Sequence, residues 1–142
     1  MSSPAVQDLL ADRPLRSVTG SSTVAAACHR MREHRVGALA VFDGMRLTGI
    51  LSERDISVRV IAGHHDPMLT LVREVMTRQP RTVPAHTPAS EALRIMLEGG
   101  FRHLPVTRGE SVVGMVSLRD VSAEGGLPAQ GVREAEPVLA LG

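Results

Sequence analysis

The chain has 142 residues, a length typical of one compact domain, and its apolar fraction of 43% is enough for a hydrophobic core. A net charge of +1 provides no strong field for nucleic acid or an anionic membrane, and the two aromatic residues, Phe42 and Phe101, are too few for base stacking. The single cysteine excludes an intramolecular disulfide, and the sequence shows neither a signal peptide nor a membrane-spanning apolar run, so we expect a cytoplasmic protein.

The sequence repeats itself, because residues 16–57 align without a gap with residues 81–122. Each copy is marginal in size for independent folding, so we expect the two copies to pack together. The seam between such copies is a natural place for a ligand. Residues that are identical in both copies include Val18 and Val83, Leu39 and Leu104, Gly49 and Gly114, and Asp55 and Asp120.

The pattern of the first copy predicts the element order β-α-β-β-α. Ser17–Thr19 is a short extended segment, and a helix with Ser22 as its N-cap follows. Two strands, Ala38–Phe42 and Leu47–Leu51, flank an Asp-Gly turn signal. A second helix starts at Ser52 and at the aligned serine of the second copy. The fold class is therefore α/β (α+β), with two such units in tandem.

The second copy has the same predicted order. Thr82–Pro84 is extended, and Thr87 caps a helix that has Pro88 at its first position, where a missing N–H is harmless. The two strands are His103–Thr107 and Val112–Val116.

The first helix of each copy has an apolar face with the spacing of a core-facing helix. Cys28 lies on such a face, so we interpret it as a small core residue and not as a nucleophile. The residues predicted to point inward are Val24, Ala27, Cys28 and Met31 in the first copy, and Ala89, Ala92, Leu93, Met96 and Leu97 in the second.

The repeat divides the chain into four segments. Residues 1–62 hold the N-terminal segment and the first copy, residues 63–71 form a linker loop, and residues 72–124 hold the second copy. The segment Val6–Leu10 is the expected counterpart of the start of the second copy. The composition of residues 125–142 is rich in Gly, Pro and Ala, so we expect a mobile tail.

The sharpest repeated motif is Gly49–Asp55, which is matched by Gly114–Asp120. In both, a strand ends and a helix begins, and the free backbone N–H groups of a helix N-terminus suit a phosphate. Ser52 and Ser117 would then donate hydrogen bonds to a phosphate oxygen. Each motif also starts with a glycine inside a strand, which often marks a close approach of another backbone or a ligand.

The charged residues of the motif fit the same interpretation. Arg54 and Arg119 would neutralise a phosphate, while Asp55 and Asp120 would accept hydrogen bonds from a ribose diol. The spacing Ser-x-x-Asp is equally that of a capping box, and two copies of one helix would both need a cap. Sequence alone leaves nucleotide contact and helix capping open, and one serine can serve both.

These motifs resemble those of the cystathionine-β-synthase (CBS) domain pair. Val36–Val41 and Thr48–Asp55 resemble the first half of the pair, and Val75–Thr77, Phe101–Val106 and Val113–Asp120 resemble the second half. The chain is similar to small bacterial proteins that consist of such a pair. The resemblance implies halves that pack pseudo-symmetrically, clefts between them that bind adenosine ligands, and two pairs that associate as a homodimer.

The resemblance also implies a set of nucleotide-binding residues. Asp120 would belong to the stronger of two sites, because Arg102, His103 and Arg119 could all reach a phosphate there, whereas the first copy has Gly37 and Ala38 at the positions of Arg102 and His103. The implied site residues are Val18, Thr19, Gly37, Ala38, Ser52, Arg54, Asp55, Val83, Pro84, Arg102, His103, Leu104, Pro105, Ser117, Arg119 and Asp120.

The function expected from the resemblance is a non-catalytic regulatory and energy-sensing module that binds AMP or ATP. The alternatives are a ligand-free protein-interaction module, and binding of NADH or S-adenosylmethionine in the same clefts. We expect no catalytic residue, catalytic cofactor, metal, nucleic-acid or membrane partner. His64, His65 and Asp66 are adjacent and lack further convergent ligands, so a surface loop is favoured there over a zinc site.

Overall fold

A computed structural model describes residues 3–125, which form two compact units. The first-repeat unit comprises residues 15–81, and the second-repeat unit comprises residues 3–14 together with residues 82–125. The tail expected at residues 125–142 lies outside the described residues, apart from Gly125.

The elements follow the repeated order that the sequence predicts. The helices are α1 Val6–Leu10, α2 Val24–His34, α3 Glu53–Asp55 with its π-helical continuation Ile56–Ile61, α4 Val72–Val75, α5 Ala89–Gly99 and α6 Leu118–Gly125. The strands are β1 Ser17–Thr19, β2 Ala38–Asp43, β3 Arg46–Ser52, β4 Thr77–Arg78, β5 Val83–Pro84, β6 His103–Arg108 and β7 Ser111–Ser117.

The sheet of the first-repeat unit has the order β1-β2-β3-β4. β1 runs parallel to β2, and the β2–β3 and β3–β4 pairs are antiparallel. The inward residues of α2 pack on β2 and β3, which bury Leu39, Val41 and Leu51 completely. This packing follows from the apolar spacing of α2 and from the apolar run of β2.

The sheet of the second-repeat unit has the order β5-β6-β7 and repeats the register of the first. Val83 pairs with Val106, and His103 pairs with Ser117. Leu104, Val106 and Val116 are completely buried against α5. The mixed α+β fold with two similar units is therefore confirmed.

The short helices exchange places between the repeats. α4 precedes the second copy in sequence but belongs to the first-repeat unit, where the Val72 N–H donates to Ser22 O at 2.8 Å. α1 precedes the first copy but belongs to the second-repeat unit, where the Val6 N–H donates to Thr87 O at 2.8 Å. The compact units thus divide the chain at other places than the sequence repeat does.

The repeated glycines accommodate these exchanged segments. A Cβ on Gly49 would lie 2.6 Å from Met76 Sδ and 2.7 Å from Thr77 O. A Cβ on Gly114 would lie 2.7 Å from Cδ1 of Leu10 in α1. The expected close approach of another backbone is found at Gly49, whereas the group that approaches Gly114 is a side chain.

Three sequence expectations about the long helices are wrong. The N-cap of α2 is Thr23 and not Ser22, because Thr23 Oγ1 accepts from the Ala26 N–H at 3.1 Å. The N-cap of α5 is Pro88, and Thr87 provides no side-chain cap. Leu97 is 56% exposed, and Ile95 is the buried residue instead.

Both hairpin turns lie one residue further along than the turn signals suggested, which were Asp43-Gly44 in the first copy and Arg108-Gly109 in the second. Asp43 pairs with Arg46, so the first turn is formed by Gly44 and Met45. The φ of Gly44 and that of the aligned Gly109 are both +62°, a backbone region that favours glycine. Among residues 3–125, no helix is both long and apolar enough to cross a bilayer.

Candidate functional site

The strand-to-helix motif of the first-repeat unit is closed by a reciprocal capping box. Ser52 Oγ accepts from the Asp55 N–H at 3.2 Å, and Asp55 Oδ2 accepts from the Ser52 N–H at 2.9 Å. Ser52 Oγ also donates to Asp55 Oδ2 at 3.1 Å. The capping alternative is therefore realised, since both residues satisfy helix-terminal N–H groups.

Asp55 is engaged on both carboxylate oxygens. Its Oδ1 accepts from Thr77 Oγ1 at 3.0 Å, and Arg59 Nε lies 3.9 Å from the same oxygen. Only 9% of the side chain is exposed. A carboxylate offers about four lone-pair positions, and three of those of Asp55 hold hydrogen bonds within the unit. This aspartate is thus a buried connector between β4, α3 and the end of β3.

The second-repeat unit repeats the box with a different partner. Ser117 Oγ accepts from the Asp120 N–H at 3.2 Å, and Asp120 Oδ2 accepts from the Ser117 N–H at 2.8 Å. Arg13 forms an ion pair with Asp120, with Nη2 3.1 Å from Oδ2 and Nη1 3.4 Å from Oδ1. The Asp120 side chain is 20% exposed and that of Arg13 is 52% exposed. Asp120 is therefore the more accessible of the two aspartates.

The start of the first hairpin lies beside each serine. Ala38 pairs with Ser52, and Gly37 O accepts from the Glu53 N–H at 3.0 Å. In the second-repeat unit His103 pairs with Ser117 in the same way. The equivalent of the Gly37 bond is the one from the Leu118 N–H to Arg102 O, at 2.8 Å. In each unit, these predicted site residues are brought together at one end of the sheet.

The predicted residues of the short strands lie elsewhere on the sheet. Val18 pairs with Val41, and Thr19 pairs with Phe42, so both are beside the later part of β2 and not beside its start. Val83 and Pro84 pair with Val106 and Thr107. Within a unit, the structure therefore separates the short-strand residues from the serine-aspartate motif along the strand direction.

Exposure divides the remaining predicted residues. Arg54 and Arg119 are exposed, which suits a group that meets a ligand from solvent. Leu104 is completely buried in the core of the second-repeat unit, and Pro105 is buried as well. The side chain of Leu104 therefore serves the hydrophobic core.

Three residues that contact the aspartates were missed in the sequence. Thr77 and Arg59 contact Asp55, and Arg13 contacts Asp120. Thr77 belongs to the Val-Met-Thr motif, so its hydroxyl was a signal that could have been used. Arg13 and Asp120 are 107 positions apart, and Arg13 lies outside the aligned residues, so no local pattern reveals this pair.

The first-repeat unit has an open cavity of about 570 Å³ between α2 and α3. Gly37 is the one predicted site residue in its lining. The lining of the cavity is mostly apolar and also includes the charged residues Arg32, Arg35 and Glu53. Its lining residues are Cys28, Met31, Arg32, Arg35, Val36, Gly37, Glu53, Ile56, Ser57 and Ile61.

The thiol of Cys28 lies in the lining of this cavity and is partly buried. Partial burial raises the pKa of its thiol above the ordinary value. A raised pKa lowers the thiolate fraction at neutral pH, and the thiolate is the nucleophilic form. The interpretation of Cys28 as a packing residue agrees with its contact with the core of the first-repeat unit.

The histidine loop has no metal-binding geometry. His64, His65 and Asp66 are exposed, as expected for a surface loop. Among the described residues 3–125, no group of three or more His, Cys, Asp or Glu side chains converges as metal ligands would.

The chain consists of two similar α/β units in tandem, each with the same capped Ser-x-Arg-Asp turn. It is therefore a duplicated module of sheets and helices. The sequence-family model of the CBS domain matches residues 6–61 and 72–124, and the chain belongs to this family. It carries a CBS pair, which is a regulatory module.

Similar proteins support this membership. The protein CBSCBSPB2 of Arabidopsis thaliana is 41% identical over 103 residues, which are 72% of this chain and 19% of that protein. The chain thus spans about a fifth of the length of the first curated relatives that it matches.

Solved structures show the same fold. A CBS-domain protein from Burkholderia ambifaria MC40-6 has a TM-score of 0.78 at 33% identity, with 82% of this chain and 90% of that chain covered. The CBS domain protein PAE2072 from Pyrobaculum aerophilum, solved in complex with AMP, has a TM-score of 0.75 at 25% identity, with 92% and 96% covered.

Proposed function

We propose that this chain is a non-catalytic sensor module that binds an adenine nucleotide, AMP or ATP, at its serine-aspartate motifs. The observation that carries the proposal is the Ser117–Asp120 turn, where a partly exposed carboxylate and a hydroxyl both bond to backbone N–H groups at a helix N-terminus, at 2.8 and 3.2 Å. The complex of a CBS relative with AMP supports the choice of ligand class. Energy sensing in the cytoplasm is part of the same proposal.

Each group at this turn has a chemical role that suits it. Asp120 accepts hydrogen bonds from the ribose diol, and Ser117 together with the exposed Arg119 binds a phosphate oxygen. Arg102 and His103 lie at the same end of the sheet and are the further phosphate-binding candidates. With so few aromatic residues in the chain, the base is held by aliphatic groups and backbone hydrogen bonds.

The second-repeat site is the stronger of the two proposed sites. Asp55 is buried and holds three hydrogen bonds within its unit, so a diol would have to displace internal partners there. Asp120 is less buried and has one exposed competitor, Arg13. The first-repeat site also lacks charged residues at positions 37 and 38.

Calorimetric titration of AMP into Asp120→Ala tests the function. We expect the affinity to fall about tenfold or more, because a hydrogen bond to a charged group is worth roughly 1.5–3 kcal/mol. Glu110→Ala is the matched control, since Glu110 is an exposed acidic residue in the second hairpin turn of the same unit. Equal affinities for wild type and Asp120→Ala would reject the site.

A thermal-shift panel separates the alternatives. A ligand that binds only the folded state raises the melting temperature, so AMP, ATP, NADH and S-adenosylmethionine can be ranked directly. No shift with any of them would favour the ligand-free interaction module, in which the two serine-aspartate pairs only cap helices.

We also propose that two copies associate as a homodimer through the α2–α3 surface of the first-repeat unit. Val58 and Ile61 are 57% and 61% exposed there, beside the open cavity. Ile61→Asp is expected to convert a dimer to a monomer in sedimentation velocity. Met45→Asp adds the same charge at a residue that is 98% exposed in a hairpin turn, and should leave the dimer intact. A monomeric wild-type protein would contradict the proposal.

A further inference from the structure

We propose that Arg13 competes with the nucleotide for Asp120, so that ligand binding releases a contact that holds the N-terminal helix α1. The inference rests on the proposed function and names a regulation of the same site. It assigns a role to a residue that lies outside both Ser-x-Arg-Asp motifs.

The guanidinium of Arg13 is held at the C-terminal end of α1. Its Nη2 donates to Leu9 O at 2.8 Å, and its Nε donates to Leu10 O at 3.2 Å. A cation at this end of a helix satisfies terminal carbonyl groups. The same guanidinium reaches Asp120 with both of its Nη atoms, so it connects the end of α1 to the start of α6.

The carboxylate of Asp120 cannot hold all of these partners and a ribose diol at once. Of its about four lone-pair positions, one accepts from the Ser117 N–H and two face Arg13. A diol that donates two hydrogen bonds needs two positions, and only one is left. The Ser117 bond belongs to the helix cap, so Arg13 is the partner that gives way.

The energetic balance favours displacement by a ligand. The ion pair is half exposed on the Arg13 side, and exposed ion pairs are worth at most about 1 kcal/mol. The competition therefore lowers the apparent affinity by a factor of about two to five. When the nucleotide displaces Arg13, the end of α1 loses its contact with Asp120 and is held less firmly. The Leu10 side chain at this end of α1 covers Gly114 in β7.

The test uses adenosine, which carries the ribose diol but no phosphate, beside AMP. Arg13→Met removes the donors and keeps the apolar stem, and we expect it to bind both ligands about two- to fivefold more tightly than wild type. Arg108→Met is the matched control. Arg108 also ties to α1, through Gln7 Oε1 at 2.9 Å, and does not contact Asp120. Its affinities should equal those of wild type.

A salt series on the wild-type protein gives a second measurement that needs no variant. Salt weakens the exposed Arg13–Asp120 pair, so adenosine should bind more tightly as ionic strength rises, whereas Arg13→Met should show no such trend. If Arg13→Met binds adenosine with unchanged affinity, there is no competition and Arg13 is a bystander. If only AMP binding becomes weaker in this variant, the competition is likewise overturned and Arg13 is a phosphate ligand. If neither protein binds either compound, the proposed function fails and this inference fails with it.

Discussion

Replacing Asp55 by alanine is expected to lower the free energy of unfolding by about 3 kcal/mol, measured by urea denaturation without ligand. The substitution removes the carboxylate that accepts from the Ser52 N–H, the Ser52 hydroxyl and the Thr77 hydroxyl, while the N-cap Ser52 itself stays in place. Because Asp55 is buried, water cannot replace these bonds at low cost.

Asp120→Ala is the matched control, since it removes the aspartate half of the capping box in the aligned position. Its loss is expected to be about 1 kcal/mol, because the ion pair with Arg13 is half exposed and the lost acceptor of the Ser117 N–H accounts for most of the effect. The difference between the two variants measures what burial and Thr77 add at Asp55. Equal losses would mean that the two aspartates play the same structural part, contrary to their different surroundings.

The repeat made the architecture predictable, because local patterns determine local structure. The apolar spacing of α2 and α5 and the strands on either side of each hairpin turn follow from short stretches of sequence. The repetition itself supports each assignment, since two copies with different residues show the same pattern and lead to the same predicted element. The strand bounds differed from expectation by one residue at the ends of β2, β3, β6 and β7.

Choices made by tertiary contacts were not predictable. Ser22 and Thr23 are adjacent hydroxyl residues that can both cap a helix, and Thr23 takes the position where the chain bridges to Leu71. The exchange of α1 and α4 has the same origin, because an amphipathic segment of four or five residues carries no sign of which copy it packs against. Ser-x-x-Asp was ambiguous for a related reason, since capping and ligand contact use the same polar atoms.

The two Ser-x-Arg-Asp motifs have different surroundings, and the residues that make them different lie outside the motifs. The four residues Ser-x-Arg-Asp are aligned in both copies, yet Asp55 meets Thr77 and Asp120 meets Arg13. Both partners come from the segments around the exchanged helices. A duplicated motif can therefore carry a rigid structural role in one copy and an exchangeable contact in the other.

Gly49→Ala is expected to lower the free energy of unfolding by about 2–3 kcal/mol. The added Cβ would lie 2.7 Å from Thr77 O, and that oxygen belongs to β4, which pairs with β3 beside Gly49. A backbone carbonyl within a sheet cannot move without disturbing the strand pairing. The small gain from replacing a strand glycine, about 0.5–1 kcal/mol, does not offset this clash.

Gly114→Ala provides the comparison, because the atoms that its Cβ would meet all belong to the side chain of Leu10, the nearest at 2.7 Å. A side chain can change rotamer, so the expected loss is about 1 kcal/mol. Leu10→Ala alone opens a cavity and should cost about 2–3 kcal/mol. Because the methyl group that Gly114→Ala adds partly fills that space, the double variant should be more stable than the sum of the single losses by about 1 kcal/mol.

The same cycle at Gly49 should show less compensation. Met76→Ala removes the sulfur that would lie 2.6 Å from a Cβ at position 49, but Thr77 O stays in place. The two double-mutant cycles, measured by urea denaturation, thus distinguish a glycine required by backbone from one required by a side chain. If Met76→Ala fully offset the loss caused by Gly49→Ala, β4 would have to move together with Met76. The segment of α4 and β4 would then be held by its side chains and not by its strand pairing with β3.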